Sequence, residues 1–193
     1  MKQVFDNISH EMSTLTTKRY STSFSLGIKM LHAEIQQPIY SVYGFVRFAD
    51  EIVDSFHGFD KEWLLEDFRK QTYQSITDGI SLNPILNSFQ WVVNKYNIPL
   101  ELIETFLESM KMDLNKQAYD EEQYKKYILG SAEVVGLMCL KIFVDGDEAE
   151  YQRLKPAAMK LGSAFQKINF LRDLNADYKH LGRVYFPGID MNE

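Results

Sequence analysis

The stretch Pro38–Phe56 reads PIYSVYGFVRFADEIVDSF. On a helical wheel, Phe45, Phe48 and Ile52 fall on one side, and Ile39, Val42, Val46, Ala49 and Val53 on another. A helix that is apolar nearly all round is buried on most faces. Yet Tyr43, Arg47, Asp50 and Asp54 recur at i, i+4, i+7 and i+11, one continuous polar stripe. The stretch Ala157–Tyr178 repeats the pattern. Leu161, Phe165 and Ile168 flank one side, Phe170, Leu171 and Leu174 the other, and Gln166, Asn169, Asp173 and Asp177 run between them beside Arg172.

Outward from these two stretches, the periodicity stays helical nearly throughout. The spacing predicts helices over Phe5–Thr17, Pro38–Phe56, Lys61–Thr77, Pro84–Tyr96, Pro99–Asn115, Glu121–Val144 and Glu148–Tyr178, the last restarting at Pro156. Pro38, Pro84, Pro99 and Pro156 are read as helix openers, where a missing N–H costs nothing. Asn83, Asp60, Asp147 and Asp120 (with Gln123 three residues on) are read as N-caps. Tyr20–Lys29 fits loop or helix, and Arg183–Pro187 reads as extended. The fold class is all-α, one domain over residues 1–193.

Composition bounds the function. The 193 residues are 45% apolar, enough for a large core, and 10 Gly with 5 Pro are too few for a turn-rich sandwich. A net charge of −6 offers no basic footprint for nucleic acid. Cys139 is the single cysteine, so no internal disulfide forms. Met1–His10 lacks the apolar core of a signal peptide, and Val134–Leu140 falls far short of the roughly 18 residues of a membrane span. These features predict a soluble, cytoplasmic protein.

Burying unpaired carboxylates costs several kcal/mol each. Pairing Arg47 with Asp50 or Asp54, and Arg172 with Asp173, is the plain structural explanation. It is short of positive charge, and it does not explain the use of Asp rather than Glu. A metal site explains both. All-oxygen ligands select hard cations, Mg²⁺ first with Mn²⁺ as the alternative, and Mg²⁺ completes its shell with water and phosphate oxygens. Facing aspartate pairs with nearby arginines thus suggest a cage for a diphosphate. A di-iron bundle would carry Glu-x-x-His on its helices. None of His10, His32, His57 and His180 completes that pattern, and all four are read as surface or structural.

Four ordered elements resemble the squalene and phytoene synthase family. Tyr43-x-x-x-Arg47-x-x-Asp50-Glu51-x-x-Asp54 resembles its first aspartate-rich motif, and Gln166-x-x-Asn169-x-x-Arg172-Asp173-x-x-x-Asp177 its second. Arg183-x-Tyr185-x-Pro187 is similar to the segment that follows, and Tyr20-Ser21-Thr22-Ser23-Phe24 to the N-terminal Ser-x-Ser-Phe element. The resemblance implies an isoprenoid-synthase-type helical bundle around a central cavity, and head-to-head coupling of two prenyl diphosphates. Asp50, Asp54, Asn169, Asp173 and Asp177 would hold the metal. Ser21, Ser23, Gln166, Arg47, Arg172, Arg183 and Tyr185 would meet the substrate. Tyr43 and Phe24 would offer π faces to carbocations. Val134, Val135, Leu137, Met138 and Phe165 would line a tunnel, while Gly130 and Gly136 would admit a ligand or a close helix.

Geranylgeranyl diphosphate giving phytoene is the favoured reaction. Squalene or dehydrosqualene formation from farnesyl diphosphate is the close alternative, with NADPH required only for squalene. A non-catalytic relative and a head-to-tail prenyl synthase are the rivals from other classes. Passing a long hydrocarbon onward implies peripheral contact with the inner face of a membrane; the oligomeric state is not written in the sequence. Two departures stand out. Leu129 and Glu133 occupy positions where the family has a tyrosine and a glycine, with Tyr127 as the candidate substitute. Family chains also run longer, so C-terminal helices are expected to be missing and apolar surface left exposed, leaving this chain poorly active.

Overall fold

The computed structural model of the chain describes residues 1–114 and 119–176. Among these, the regular elements are helices: α1 (Lys2–Tyr20), α2 (Thr22–Lys29), α3 (Ala33–Ser55), α4 (Lys61–Asp78), α5 (Pro84–Tyr96), α6 (Leu100–Leu114), α7 (Glu121–Ile128), a π-helical turn (Leu129–Glu133), α8 (Val134–Phe143) and α9 (Glu148–Ala176). The all-α expectation holds. The caps also stand where the sequence puts them. Asp60 accepts from the Trp63 N–H, Asn83 from Ile85 and Leu86, and Asp147 from Glu150. Asp120 and Gln123 form a reciprocal capping box.

Two prolines behave differently from expectation. Pro38 and Pro156 lie inside α3 and α9 rather than opening them, and α9 does not restart. Each forfeits one bond to the carbonyl four residues back. Glu34 and Gln152, which lose that partner, are both exposed, so water can replace it. The stretch read as one helix over Glu121–Val144 is instead broken by the π-helical turn. Gly130 lies in that turn, where a Cβ would overlap Ser109 and stand 2.7 Å from the Thr105 carbonyl of α6. A Cβ on Gly162 of α9 would stand 2.9 Å from the Ala132 carbonyl. Three backbones thus converge at the turn, and glycine is what lets them meet. Gly130 admits a close helix, as expected; Gly162 was not foreseen.

The core is centred on Phe45 of α3. Its ring stacks on Phe89 of α5 at 3.9 Å between centroids, with Phe106 of α6 at 5.5 Å and Phe68 of α4 at 5.6 Å. Four helices therefore converge on one fully buried side chain, worth about 3–5 kcal/mol against truncation. Helix α1 packs on α3 and α5 through small polar residues: Ser9, Ser13, Thr16 and Thr17 are buried. These let the backbones approach closely, and a Cβ on Gly44 would lie 3.1 Å from Ser13 Oγ. His10 donates to or accepts from Ser88 at 3.1 Å and packs edge-on against Trp91. It is structural, as read. His32 and His57 are exposed, and His180 lies outside the described residues.

Helix α9 rests on α8 and on the π-helical turn. It is not buried on most faces, contrary to the wheel. Leu161, Phe165, Ile168 and Leu171 are 58–64% exposed, while Phe170 is buried, among Tyr124 and Tyr127. The expected exposed apolar surface is therefore present, and it lies along α9.

Candidate active site

Between α2, α8 and α9 runs an open, apolar groove of about 680 Å³. Its walls are Phe24, Gly27 and Ile28 of α2; Gly136, Cys139, Leu140 and Phe143 of α8; and Leu154, Ala158, Leu161, Gly162 and Phe165 of α9. The expected central cavity is thus open on one side. The lining differs from the tunnel expected on α8. Val134, Leu137 and Met138 are sealed in the core instead, and Val135 is only half-buried against it. The π-helical turn ahead of α8 breaks the regular helical phase across the stretch. Phe165 does line the groove. Cys139 lines it as well, with its thiol pushed up to about 12 by burial, so it carries no reactive thiolate at neutral pH.

One wall of the groove leads into the α3 stripe. Phe24 stacks on Tyr43 at 4.9 Å and stays 44% exposed, so it is groove rather than core. Tyr43, Arg47, Asp50 and Asp54 are all half-buried along α3, as the spacing requires. Arg47 Nη1 donates to Asp50 Oδ2 at 2.7 Å, and Nη2 to Glu51 Oε2 at 2.5 Å. Burial works against the Arg47 charge, but Asp50 and Glu51 more than offset it and raise its pKa above the ordinary value. Burial likewise raises the Tyr43 phenol against the opposing pull of Arg47. Ser21 caps α2, accepting from the Phe24 N–H at 3.2 Å. Ser23 is exposed on the groove.

The opposite wall leads into the α9 stripe. One residue past Phe165, Gln166 donates to Ser131 Oγ at 3.3 Å and accepts from Asn169 at 3.5 Å. Arg172 forks onto Asp173 through Nε at 2.8 Å and Nη2 at 2.6 Å. That pair holds the Asp173 carboxyl below its ordinary range despite some desolvation. Asp177, Arg183 and Tyr185 lie outside the described residues.

The α3 stripe adjoins the groove through the Phe24–Tyr43 stack, the α9 stripe starts one residue past Phe165, and each carries an arginine on an aspartate. Their donors are all oxygen and fit a hard divalent cation in kind. Among the described residues, no three His, Cys, Asp or Glu side chains converge tightly enough to hold a metal ion. The two departures also find places. Glu133 lines a separate depression with Lys160 and Lys167, where burial raises its pKa and Lys167 opposes the shift. Tyr127 is buried and donates to Asp113 at 2.7 Å, within an aromatic cluster rather than on the groove. It does not substitute for the tyrosine at Leu129. Sequence reasoning gave no role to Tyr20 or Glu51, although both contact Arg47. Glu51 stands four residues after Arg47, a spacing that could have revealed it.

A model of the squalene/phytoene synthase family matches residues 17–193. The chain is 27% identical over 183 residues to 4,4'-diapophytoene synthase of Staphylococcus haemolyticus, covering 91% of this chain and 61% of the relative. It is 25% identical over 194 residues to phytoene synthase of Arthrospira platensis, covering 95% and 62%. Squalene synthase HpnC from Alicyclobacillus acidocaldarius superposes with a TM-score of 0.83 at 26% identity, over 95% of this chain and 68% of that one. A dehydrosqualene synthase solved with a ligand shares the fold at a TM-score of 0.82 and 24% identity, over 97% and 64%. The chain thus spans about three-fifths of the length of these two curated relatives.

Proposed function

The chain belongs to the squalene/phytoene synthase family, and from that premise we propose that the full-length protein condenses two prenyl diphosphates head to head. The favoured substrate is geranylgeranyl diphosphate and the product phytoene. Formation of dehydrosqualene or squalene from farnesyl diphosphate is the alternative. The observation that carries the reading is an Asp/Arg pair on each of α3 and α9, two helices that both contribute to the walls of the apolar groove. Its volume suits a single ligand's chain, within the roughly 300–1,000 Å³ of ligand pockets.

The prenyl tail lies along Ile28, Leu140 and Leu161, which exclude water from the allylic carbons. Arg47 and Arg172 present forked donors to the diphosphates, with Ser21 and Ser23 as hydroxyl donors. Asp50, Asp54, Asn169, Asp173 and Asp177 would hold Mg²⁺ or Mn²⁺, which supplies Lewis-acid stabilisation of the leaving diphosphate. The first ionisation releases one diphosphate and leaves an allylic cation. The second substrate's double bond attacks it, and loss of a proton closes a cyclopropylcarbinyl diphosphate. A second ionisation releases the other diphosphate, and rearrangement with loss of a second proton gives phytoene. Tyr43 and Phe24, stacked at one wall, offer π faces to these cations. Among the described residues no helix is long and apolar enough to cross a membrane, so the hydrocarbon would pass to a membrane by peripheral contact at its inner face.

The test is incubation of the full-length protein with each diphosphate and Mg²⁺, with and without NADPH. Phytoene from the C20 substrate is expected. NADPH-dependent squalene as sole product would move the assignment to the alternative, and a longer diphosphate would overturn head-to-head coupling.

A further inference from the structure

Resting on the diphosphate reading, we propose that Tyr20 and Glu51 are positioning residues for Arg47, and that the adjacent carboxylates Asp50 and Glu51 divide the work. Tyr20 ends α1, immediately before the Ser21 cap, and its ring lies 4.3 Å from the Arg47 guanidinium carbon. Stacking covers a face of the guanidinium and leaves its N–H edges for in-plane partners. Glu51 takes one of those edges through Nη2, and Asp50 takes Nη1.

Glu51 is committed elsewhere as well. Besides the bond from Arg47, the nearby Ser55 and Tyr20 also favour its charged form. Engaged by Arg47 and stabilised as an anion within the protein, it is a strut rather than a ligand. Asp50 is shared differently. When a cation and diphosphate occupy the groove mouth, Asp50 can turn to the cation and Arg47 Nη1 is released to a phosphate oxygen. Tyr20 and Glu51 then hold the guanidinium in place while its third contact changes. The junction of α1 and α2 thereby orients two residues on α3, with Tyr20 on Arg47 and Phe24 on Tyr43.

The test measures binding of inorganic pyrophosphate with Mg²⁺ by calorimetry, and kcat and KM separately, on the full-length protein. The variants are Tyr20→Leu, Tyr20→Phe, Glu51→Gln and Arg47→Gln. Tyr20→Leu should weaken pyrophosphate binding about two- to fivefold and raise KM more than it lowers kcat, because a partly exposed cation–π contact is lost. Tyr20→Phe keeps the ring and should recover most of that loss. Glu51→Gln should weaken binding severalfold, and in an Arg47→Gln background neither change should matter. Equal losses in Tyr20→Leu and Tyr20→Phe, or losses that persist without Arg47, would overturn the proposal. So would unchanged pyrophosphate binding in both Tyr20→Leu and Glu51→Gln while Arg47→Gln abolishes it. An Arg47→Gln protein that binds pyrophosphate as well as wild type would instead defeat the diphosphate reading itself.

Discussion

Asp50 and Asp173 each sit beside an arginine on an apolar helix, yet the two helices support them differently. On α3 the stripe emerges from a helix whose other faces carry Val42, Phe45, Ala49 and Val53, all buried. Its arginine is held by two carboxylates and an aromatic ring from another helix. On α9, Arg172 is 67% exposed and grips the neighbouring residue, while Ile168 and Leu171 face outward. The same motif is therefore pre-organised by packing in one place and by local contact in the other. Pre-organisation of charge is what makes electrostatic catalysis strong. The α3 half is held by packing among the described residues, whereas the apolar flank of the α9 half is exposed.

The comparison breaks most sharply in the aspartates. If the proposed metal-assisted loss of diphosphate holds, Asp50→Ala and Asp173→Ala should each lower kcat by about a thousandfold or more in the full-length protein, because that assistance supplies several kcal/mol. Steady-state assays with a prenyl diphosphate would check this. If Asp173→Ala cost less than tenfold while Asp50→Ala abolished turnover, the α9 stripe would be an accessory and the α3 stripe the whole metal site.

A second contrast concerns stability. Phe45→Ala should cost about 3–5 kcal/mol in urea unfolding, because the ring touches three other phenylalanines and leaves a cavity. Phe165→Ala on α9 should change stability by no more than about 0.5 kcal/mol, because the side chain is 61% exposed. A large loss at Phe165 would mean that α9 is covered in solution, by other chain or another molecule.

Both stripes, their spacing and the pairings of Arg47 with Asp50 and of Arg172 with Asp173 could be read from sequence, because each follows from one helix's periodicity and needs no knowledge of neighbours. The caps at Asn83, Asp60 and Asp120 were legible for the same reason: each is a local bond within three residues. What escaped reading crosses between helices. Tyr20 meets Arg47 only because α1 packs on α3, and no spacing within either helix announces it. Gly162 matters only because the π-helical turn approaches it. Pro38 misled because a proline inside a helix and one at its start look alike when the lost carbonyl partner is exposed. The groove face of α8 was misassigned because apolarity alone does not separate a core-facing from a groove-facing position.

The smallest expected effect separates the two arginine pairs by acid and salt. Burial tends to raise the Glu51 pKa, but hydrogen bonds from Ser55, Arg47 and Tyr20 outweigh it and hold the carboxyl below its ordinary 4.5. Asp173 is held below 3.8 chiefly by Arg172. A carboxylate with a depressed folded-state pKa contributes its stabilisation fully above the unfolded-state pKa and loses it as pH falls through the folded value. Both contributions are therefore present at pH 7 and fade on acidification below those ordinary values. The Arg47 pair is half-buried, and solvent ions screen it poorly; the Arg172 pair is exposed, and screening removes most of it. Arg47→Gln should thus lower the melting temperature at pH 7 by a few degrees, with nearly the same loss at ~1 M salt, where the Debye length is about 3 Å. Arg172→Gln should lower it by about a degree or less at low salt and by nothing measurable at high salt. Melting curves of both variants at two salt concentrations and at pH 4 and 7 would decide it. A salt-insensitive loss at Arg172 would mean that this pair is shielded from solvent after all, and that the two stripes are more alike than their exposed and buried settings make them.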